Sequence, residues 1–125
     1  MRTAICGVPR AGKTTLAEEL ADELGIDPLS TDDLIDLGWS EASEAASHWF
    51  DNHGDFVIEG MAVPRALRKW LAANQTGKPC DELIWLGLPY EDGPAGHAAM
   101  GKGAYTVLEG IIEELLSRGV MVAMQ

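Results

Sequence analysis

The stretch Gly7-Val8-Pro9-Arg10-Ala11-Gly12-Lys13-Thr14 satisfies G-x-x-x-x-G-K-[ST] without a mismatch, and with its flanks it constrains the fold more than any other feature. Before it, "RTAIC" at 2–6 is a short apolar run stopping at Gly7, the pattern of a buried strand. After it, Leu16, Ala17, Leu20, Ala21 and Leu24 recur at helical spacing between Lys13 and Leu24. Glu18, Glu19, Asp22 and Glu23 take the other face, and Gly25 supplies the stop. Strand, glycine-rich turn and helix in that order make an anion cradle. The glycines let backbone amides turn inward around phosphate oxygens, and the helix aims its positive dipole end at the same anion. The cradle expected here runs over Gly7, Arg10, Ala11, Gly12, Lys13, Thr14 and Thr15. Lys13 is expected to reach the β- and γ-phosphates of a nucleoside triphosphate, with the Thr14 hydroxyl on Mg²⁺ and Thr15 near the α-phosphate. Arg10 has three readings: a phosphate contact, an acceptor clamp, or a side chain extended into solvent.

The rest of the chain keeps alternating strand and helix signals. "PLS" at 28–30 reads as a short strand. Thr31 then caps a short helix over 31–37 whose first turn carries Asp32 and Asp33, favourable positions for negative charge. Ser40 is expected to cap a helix over 41–52, with Ala42, Ala45, Ala46, Trp49 and Phe50 as its apolar stripe. "FVIE" at 56–59 is a buried strand ending at Glu59-Gly60. Pro64 suits the first turn of the next helix, in which Leu67, Trp70 and Leu71 face inward and Arg65, Arg68 and Lys69 lie more exposed. "ELIWLGL" at 82–88 gives a fourth strand. Residues 89–104 are Gly- and Ala-rich and read as a mobile loop. Tyr105–Ser117 is amphipathic, Gly119 ends it, and "VMVAM" at 120–124 is the fifth strand. This alternation calls for an α/β fold with a parallel sheet covered on both faces. No repeat or linker divides the chain, so 1–125 reads as a single domain.

At 125 residues the chain supports one core. No apolar run is long enough to span a membrane, and no signal-peptide pattern opens the chain, which points to a cytoplasmic protein. Cys6 and Cys80 have no metal spacing and read as buried small hydrophobes in a reducing compartment. The formal charge of −11 disfavours a protein that coats nucleic acid by counterion release. Much of the acid belongs to outer helix faces such as "AEELADEL", however. Arg10, Lys13, Arg65, Arg68 and Lys69 fall near two strand ends, so a local positive cleft is compatible with the total. The four tryptophans, Trp39, Trp49, Trp70 and Trp85, lie in or beside periodic elements and are expected to pack in the core, with base stacking as the alternative for Trp39.

On "GVPRAGKTT", "STDDL" and "VIEGMAVPRALRKWL" the chain resembles the P-loop kinases, over nearly its whole length. It looks like the small nucleoside, shikimate and polynucleotide kinases and the zeta-toxin group. The resemblance implies a three-layer P-loop NTPase fold with a five-stranded parallel sheet ordered 2-3-1-4-5, helices on both faces, and a lid around 89–104. It implies ATP and Mg²⁺ as donor and cofactor. In polynucleotide-kinase-like enzymes the first Asp of a pair after the second strand orients the acceptor hydroxyl and takes its proton. The matching residue is Asp32, with Asp33 a metal or acceptor partner, or else both carboxylates merely cap the helix. Glu59, at the carboxyl end of its strand, either serves Mg²⁺ or the acceptor or pairs with a nearby base. Arg65 and Arg68 share a helix face and bind acceptor phosphate, or form a solvated basic face. The GTPase signature N-K-x-D is absent.

Two departures stand out. Lids of this group often carry arginines, whereas "GHAAMGKGAY" has none. Lys102 is therefore the expected closing cation, with His97 a conditional one; failing Lys102, the charge must come from Arg65, Arg68 or Arg118. The chain also stops just beyond the fifth strand, without the further helix of those kinases, so the adenine side is either incomplete or completed by a second copy. The resulting expectation is a kinase acting on a hydroxyl of a nucleic acid or nucleotide, in the manner of polynucleotide kinases or of phage enzymes that phosphorylate hydroxymethyl-pyrimidines in DNA. A small-metabolite kinase and a non-catalytic nucleotide-binding module are the alternatives.

Overall fold

The computed structural model describes residues 1–8, 11–87 and 97–125. Its strands are β1 (Arg2–Gly7), β2 (Leu29–Ser30), β3 (Phe56–Glu59), β4 (Glu82–Leu86) and β5 (Met121–Met124), all parallel and ordered β2-β3-β1-β4-β5. The central strands carry apolar residues on both faces, as a parallel sheet covered twice must. Ala4, Cys6, Phe56, Ile58, Leu83 and Trp85 look one way, and Ile5, Val57, Ile84 and Leu86 the other.

The second face packs on helix α1 (Lys13–Leu24) through Ala17 and Ala21. The first packs on α3 (Val63–Ala73) and α4 (His97–Ser117), with Phe50 from the segment after α2 (Trp39–Ser47). Right-handed crossovers require this division. The β1–α1–β2 connection moves toward one edge of the sheet, while the later connections move toward the other. The α/β class, the strand order and the helical cover on both faces agree with expectation.

At the N-terminal edge, basic side chains close the sheet. Arg2 donates to the carbonyls of Phe50 (3.0 Å), Asn52 (3.1 Å) and Pro79 (2.9 Å). Arg118 lies over the Trp70 ring and donates to Gly77 O at 3.1 Å. Trp70 Nε1 donates to Asp51 at 2.9 Å. A cleft of about 440 Å³ lies here, lined by Arg2, Phe50, Asp51 and Trp70 among others. Its arginine is already committed to backbone carbonyls, and the cleft is a packing seam rather than the best candidate for chemistry.

Several local expectations need correction. Helix α4 opens at His97, so residues 97–104, expected as loop, are helical. Ala98, Ala99, Met100, Lys102 and Ala104 are strong helix formers that outweigh Gly101 and Gly103. The remainder of the expected lid, 89–96, lies outside the described residues, as does Arg10. Ser40 is not a cap: α2 begins at Trp39 behind Gly38 and gives way at His48 to a 3₁₀ turn through Asp51. Thr31 opens a 3₁₀ helix over 31–37, but its hydroxyl is turned to a different partner, described below.

Candidate functional site

The register of the sheet brings three strand ends level. Ser30 of β2 and Ile5 of β1 both pair with Glu59 of β3, and β1 runs on to Gly7, opposite Leu86 of β4. The turns that leave these strands meet at the C-terminal edge, where open α/β sheets build their sites. These turns carry Gly12, Lys13 and Thr14, then Asp32 and Asp33, and then Gly60.

Gly12, with φ at 94°, is the last residue before α1, a left-handed position that a side chain would strain. No side chain caps α1 there, and the first amides of any α-helix have no partner inside it. The carbonyl of Val8 accepts from Ala11 N–H at 3.3 Å and from the Lys13 ammonium at 2.8 Å. Lys13 is only 8% exposed. Burial pulls its pKa below the ordinary lysine value, while the charges of Glu59, Asp32 and the Cys6 position work in the opposite direction. Burial among apolar neighbours pushes the Cys6 thiol far up, so Cys6 serves as a small core residue, as expected.

Glu59 is 2% exposed. Its Oε1 accepts from the Thr14 hydroxyl at 3.3 Å, and its Oε2 is buried without a hydrogen-bond partner. A buried carboxylate oxygen left unpaired costs about 1–3 kcal/mol or more, so native folds keep few of them. Lys13 and Glu59, both buried, and the exposed Thr14 thus form one polar group, on which the Asp32 charge also acts. Its small donor set is all hard oxygen, a hydroxyl and a carboxylate. Among the described residues no cluster of three or more His, Cys, Asp or Glu could hold a metal alone.

The position of Asp32 is fixed by a joint between the turns after β2 and β3. Thr31, 1% exposed, accepts at Oγ1 from Ala62 N–H at 3.4 Å, while Gly60 packs directly against it. The turn after β2 is thereby locked to the turn after β3. Asp32 N–H donates to Ser30 Oγ at 3.3 Å, so Ser30 takes the capping part expected of Thr31.

The other expected residues divide. Thr15 and Asp33 are exposed, and Ala11 is half-buried against the apolar core. Arg65, in the first turn of α3, has its guanidinium 5.6 Å from the centre of the Trp39 ring. Arg68 is exposed one turn further along α3. Lys102 is exposed near the start of α4, on the same edge of the sheet. Arg118 sits at the opposite edge and cannot supply the closing charge, because the far end of α4 carries it there. Trp39, expected in the core, is instead 41% exposed. Reading by residue type missed the Val8 carbonyl and the Thr31 joint. The first has no sequence signal, whereas the second had one in Gly60, a glycine at a strand end that marks close backbone approach.

No protein-family model matches the chain, and neither does any curated protein sequence. Among the described residues, no helix is long and apolar enough to cross a membrane.

Proposed function

We propose that the protein is an ATP- and Mg²⁺-dependent kinase that transfers the γ-phosphate to a hydroxyl of a nucleic acid or nucleotide. The observation that carries this reading is the Lys13–Thr14–Glu59 group at the end of the G-x-x-x-x-G-K-T stretch, with its buried, unpartnered Glu59 Oε2. A buried ammonium and an unsatisfied buried carboxylate within electrostatic reach of each other suit a ligand that brings both an anion and a cation. Thr14 and Glu59 are the residues that would hold Mg²⁺, directly or through water. A donor set this small fits that ion, which takes one or two protein oxygens and completes its shell with phosphate oxygens and water. When bound, Mg²⁺ neutralises charge on the β- and γ-phosphates.

In this reading backbone N–H groups among Gly7, Arg10, Ala11, Gly12, Lys13, Thr14 and Thr15 cradle the phosphates, and the Lys13 ammonium meets the γ-phosphoryl oxygens. The acceptor oxygen bonds to the γ-phosphorus as the bond to the β,γ-bridging oxygen breaks. ADP leaves, and the hydroxyl proton passes to the Asp32 carboxylate. Asp33 supports metal or acceptor, Arg65 and Arg68 hold acceptor phosphate, and Lys102 closes on the migrating group. The charge of −11 favours a small-metabolite alcohol as the second reading of the acceptor.

The test is incubation with γ-labelled ATP and a panel of nucleosides, 5′-hydroxyl oligonucleotides, hydroxymethylated DNA and small alcohols. Asp32→Asn is expected to lower transfer by roughly 10²- to 10⁴-fold, the range for losing a general base, with ATP affinity nearly unchanged. Tight ATP binding with no labelled product on any acceptor would leave a non-catalytic nucleotide-binding module.

A further inference from the structure

Trp39 is an exposed indole that the core does not use. Trp70 and Trp85 are buried and Trp49 is half-buried against the core, whereas Trp39 is 41% exposed and belongs to neither half of it. It is the first residue of α2, shortly after the 3₁₀ helix that carries Asp32. Over its ring lies the guanidinium of Arg65, its carbon 5.6 Å from the ring centre. Arg65 in turn stands in the first turn of α3, just beyond the strand end that carries Glu59, and its Nη2 lies against Gly103 of α4. Three elements therefore converge to place an aromatic plane and a planar cation at the edge of the sheet that holds Lys13, Thr14 and Asp32. An exposed indole is unfavourable in water, and a guanidinium over it recovers only part of that loss.

We propose that Trp39 and Arg65 form the platform for the base of the acceptor, so that the hydroxyl presented to Asp32 belongs to a nucleotide unit rather than to an aliphatic alcohol. This rests on the kinase reading for the role of Asp32 but not for the binding itself. A nucleobase offers a π-face to the indole edge and to the guanidinium plane, and its phosphate offers an anion to the Arg65 fork. An aliphatic polyol offers neither. The exposed carboxylates of the 3₁₀ helix and of the first turn of α2, Asp33, Asp36 and Glu41, disfavour an extended polyanion beside Trp39. The nucleotide unit can be a free nucleotide or the end of a strand.

The experiment follows tryptophan fluorescence of the whole protein, with a non-hydrolysable ATP analogue and Mg²⁺ present, on titration with thymidine 3′-monophosphate, a short 5′-hydroxyl oligothymidylate, or glycerol. Saturable quenching by the two nucleotide probes but not by glycerol is expected. Trp39→Phe should remove the quenching. Trp39→Leu should weaken binding by about tenfold or more in calorimetry, the scale of one lost base stack. Arg65→Lys, which keeps the charge but loses the plane, should weaken it as well. Circular dichroism of each variant checks folding. Tighter binding of the oligonucleotide than of the monophosphate assigns the unit to a strand end, and equal binding assigns it to a free nucleotide. The proposal is overturned if Trp39→Leu binds both probes as tightly as wild type, or if the ATP analogue alone produces the quenching. It is also overturned if glycerol is phosphorylated while neither nucleotide binds, which leaves the kinase reading standing. Quenching and binding without any transfer from ATP uphold the platform and remove the kinase.

Discussion

Replacing Gly60 by Ala tests the joint that sets Asp32 against the buried Glu59 group. Gly60 has φ at 139°, which a residue with a Cβ adopts only under strain of about 1–3 kcal/mol. The added Cβ would also land on Thr31 Oγ1 and lie 3.0 Å from Thr31 Cβ and 3.2 Å from Thr31 N. Turning the Thr31 side chain away does not relieve the last two contacts, and it breaks the hydrogen bond from Ala62 N–H. Overpacking of this kind costs about 1–3 kcal/mol more. The sum, about 2–6 kcal/mol, is a large part of the roughly 5–15 kcal/mol that holds a domain together. At about 3–5 °C per kcal/mol for a chain of this size, a central loss near 4 kcal/mol lowers Tm by about 12–20 °C.

Thr31→Ala alone leaves the buried Ala62 N–H unpaired, a cost of about 1–3 kcal/mol. In the double variant the oxygen that collides is gone. Its loss should therefore fall short of the sum of the two single losses by about 1–2 kcal/mol, a coupling that residues in contact show and distant ones do not. Urea denaturation followed by circular dichroism reads all three variants. A Gly60→Ala protein within about 0.5 kcal/mol of wild type, or strict additivity in the double variant, would refute the packing argument.

Two further substitutions probe the charges. Burial holds the Lys13 pKa below its ordinary value, so between that lowered value and the ordinary one the unfolded chain binds more protons, and stability rises with pH across the window. Nucleotide-free Lys13→Met should therefore be more stable than wild type at neutral pH, with the gap narrowing in alkali as the ordinary lysine value is approached; a gap that widens there rejects the burial argument. Glu59→Gln keeps an oxygen for the Thr14 hydroxyl but loses the charge, so ATP affinity in EDTA should stay near wild type while the gain given by Mg²⁺ falls about tenfold or more, the scale of a lost charge-assisted contact. An unchanged Mg²⁺ gain removes Glu59 from the metal site.

What the sequence disclosed follows from where local signals and tertiary packing coincide. The apolar runs at 2–6, 56–59 and 82–86 are strands because both their faces are buried, and a doubly buried strand reads as continuous apolar sequence. Helix α1 ends at Gly25 as its spacing requires. The start of α4 was hidden because Gly101 and Gly103 break the apolar periodicity without stopping a helix rich in alanine. Thr31 departs from the expected capping role for a different reason. A threonine before two aspartates is a good local cap, but Gly60, far away in sequence, leaves room for the turn of β3 to claim its oxygen. The exposure of Trp39 was equally invisible, since an aromatic beside an amphipathic stripe reads as core until the neighbours that fail to cover it are known.

The energetics of the Lys13–Thr14–Glu59 group set it apart from the core around it. Among the described residues, the buried hydroxyls of Thr31 and Ser43 bond to Ala62 and Ser40, whereas Glu59 Oε2 is buried without a partner. The same burial that leaves that oxygen unpaired lowers the pKa of Lys13. A fold selected for stability alone gains nothing from this arrangement, because apolar residues of similar volume would remove both penalties. A phosphate anion would meet the ammonium but add repulsion to the carboxylate. A divalent cation would meet the carboxylate but add repulsion to the ammonium. Each penalty is relieved without aggravating the other only when anion and cation arrive together, so the pair should bind with positive coupling in which either partner strengthens the other by the same factor.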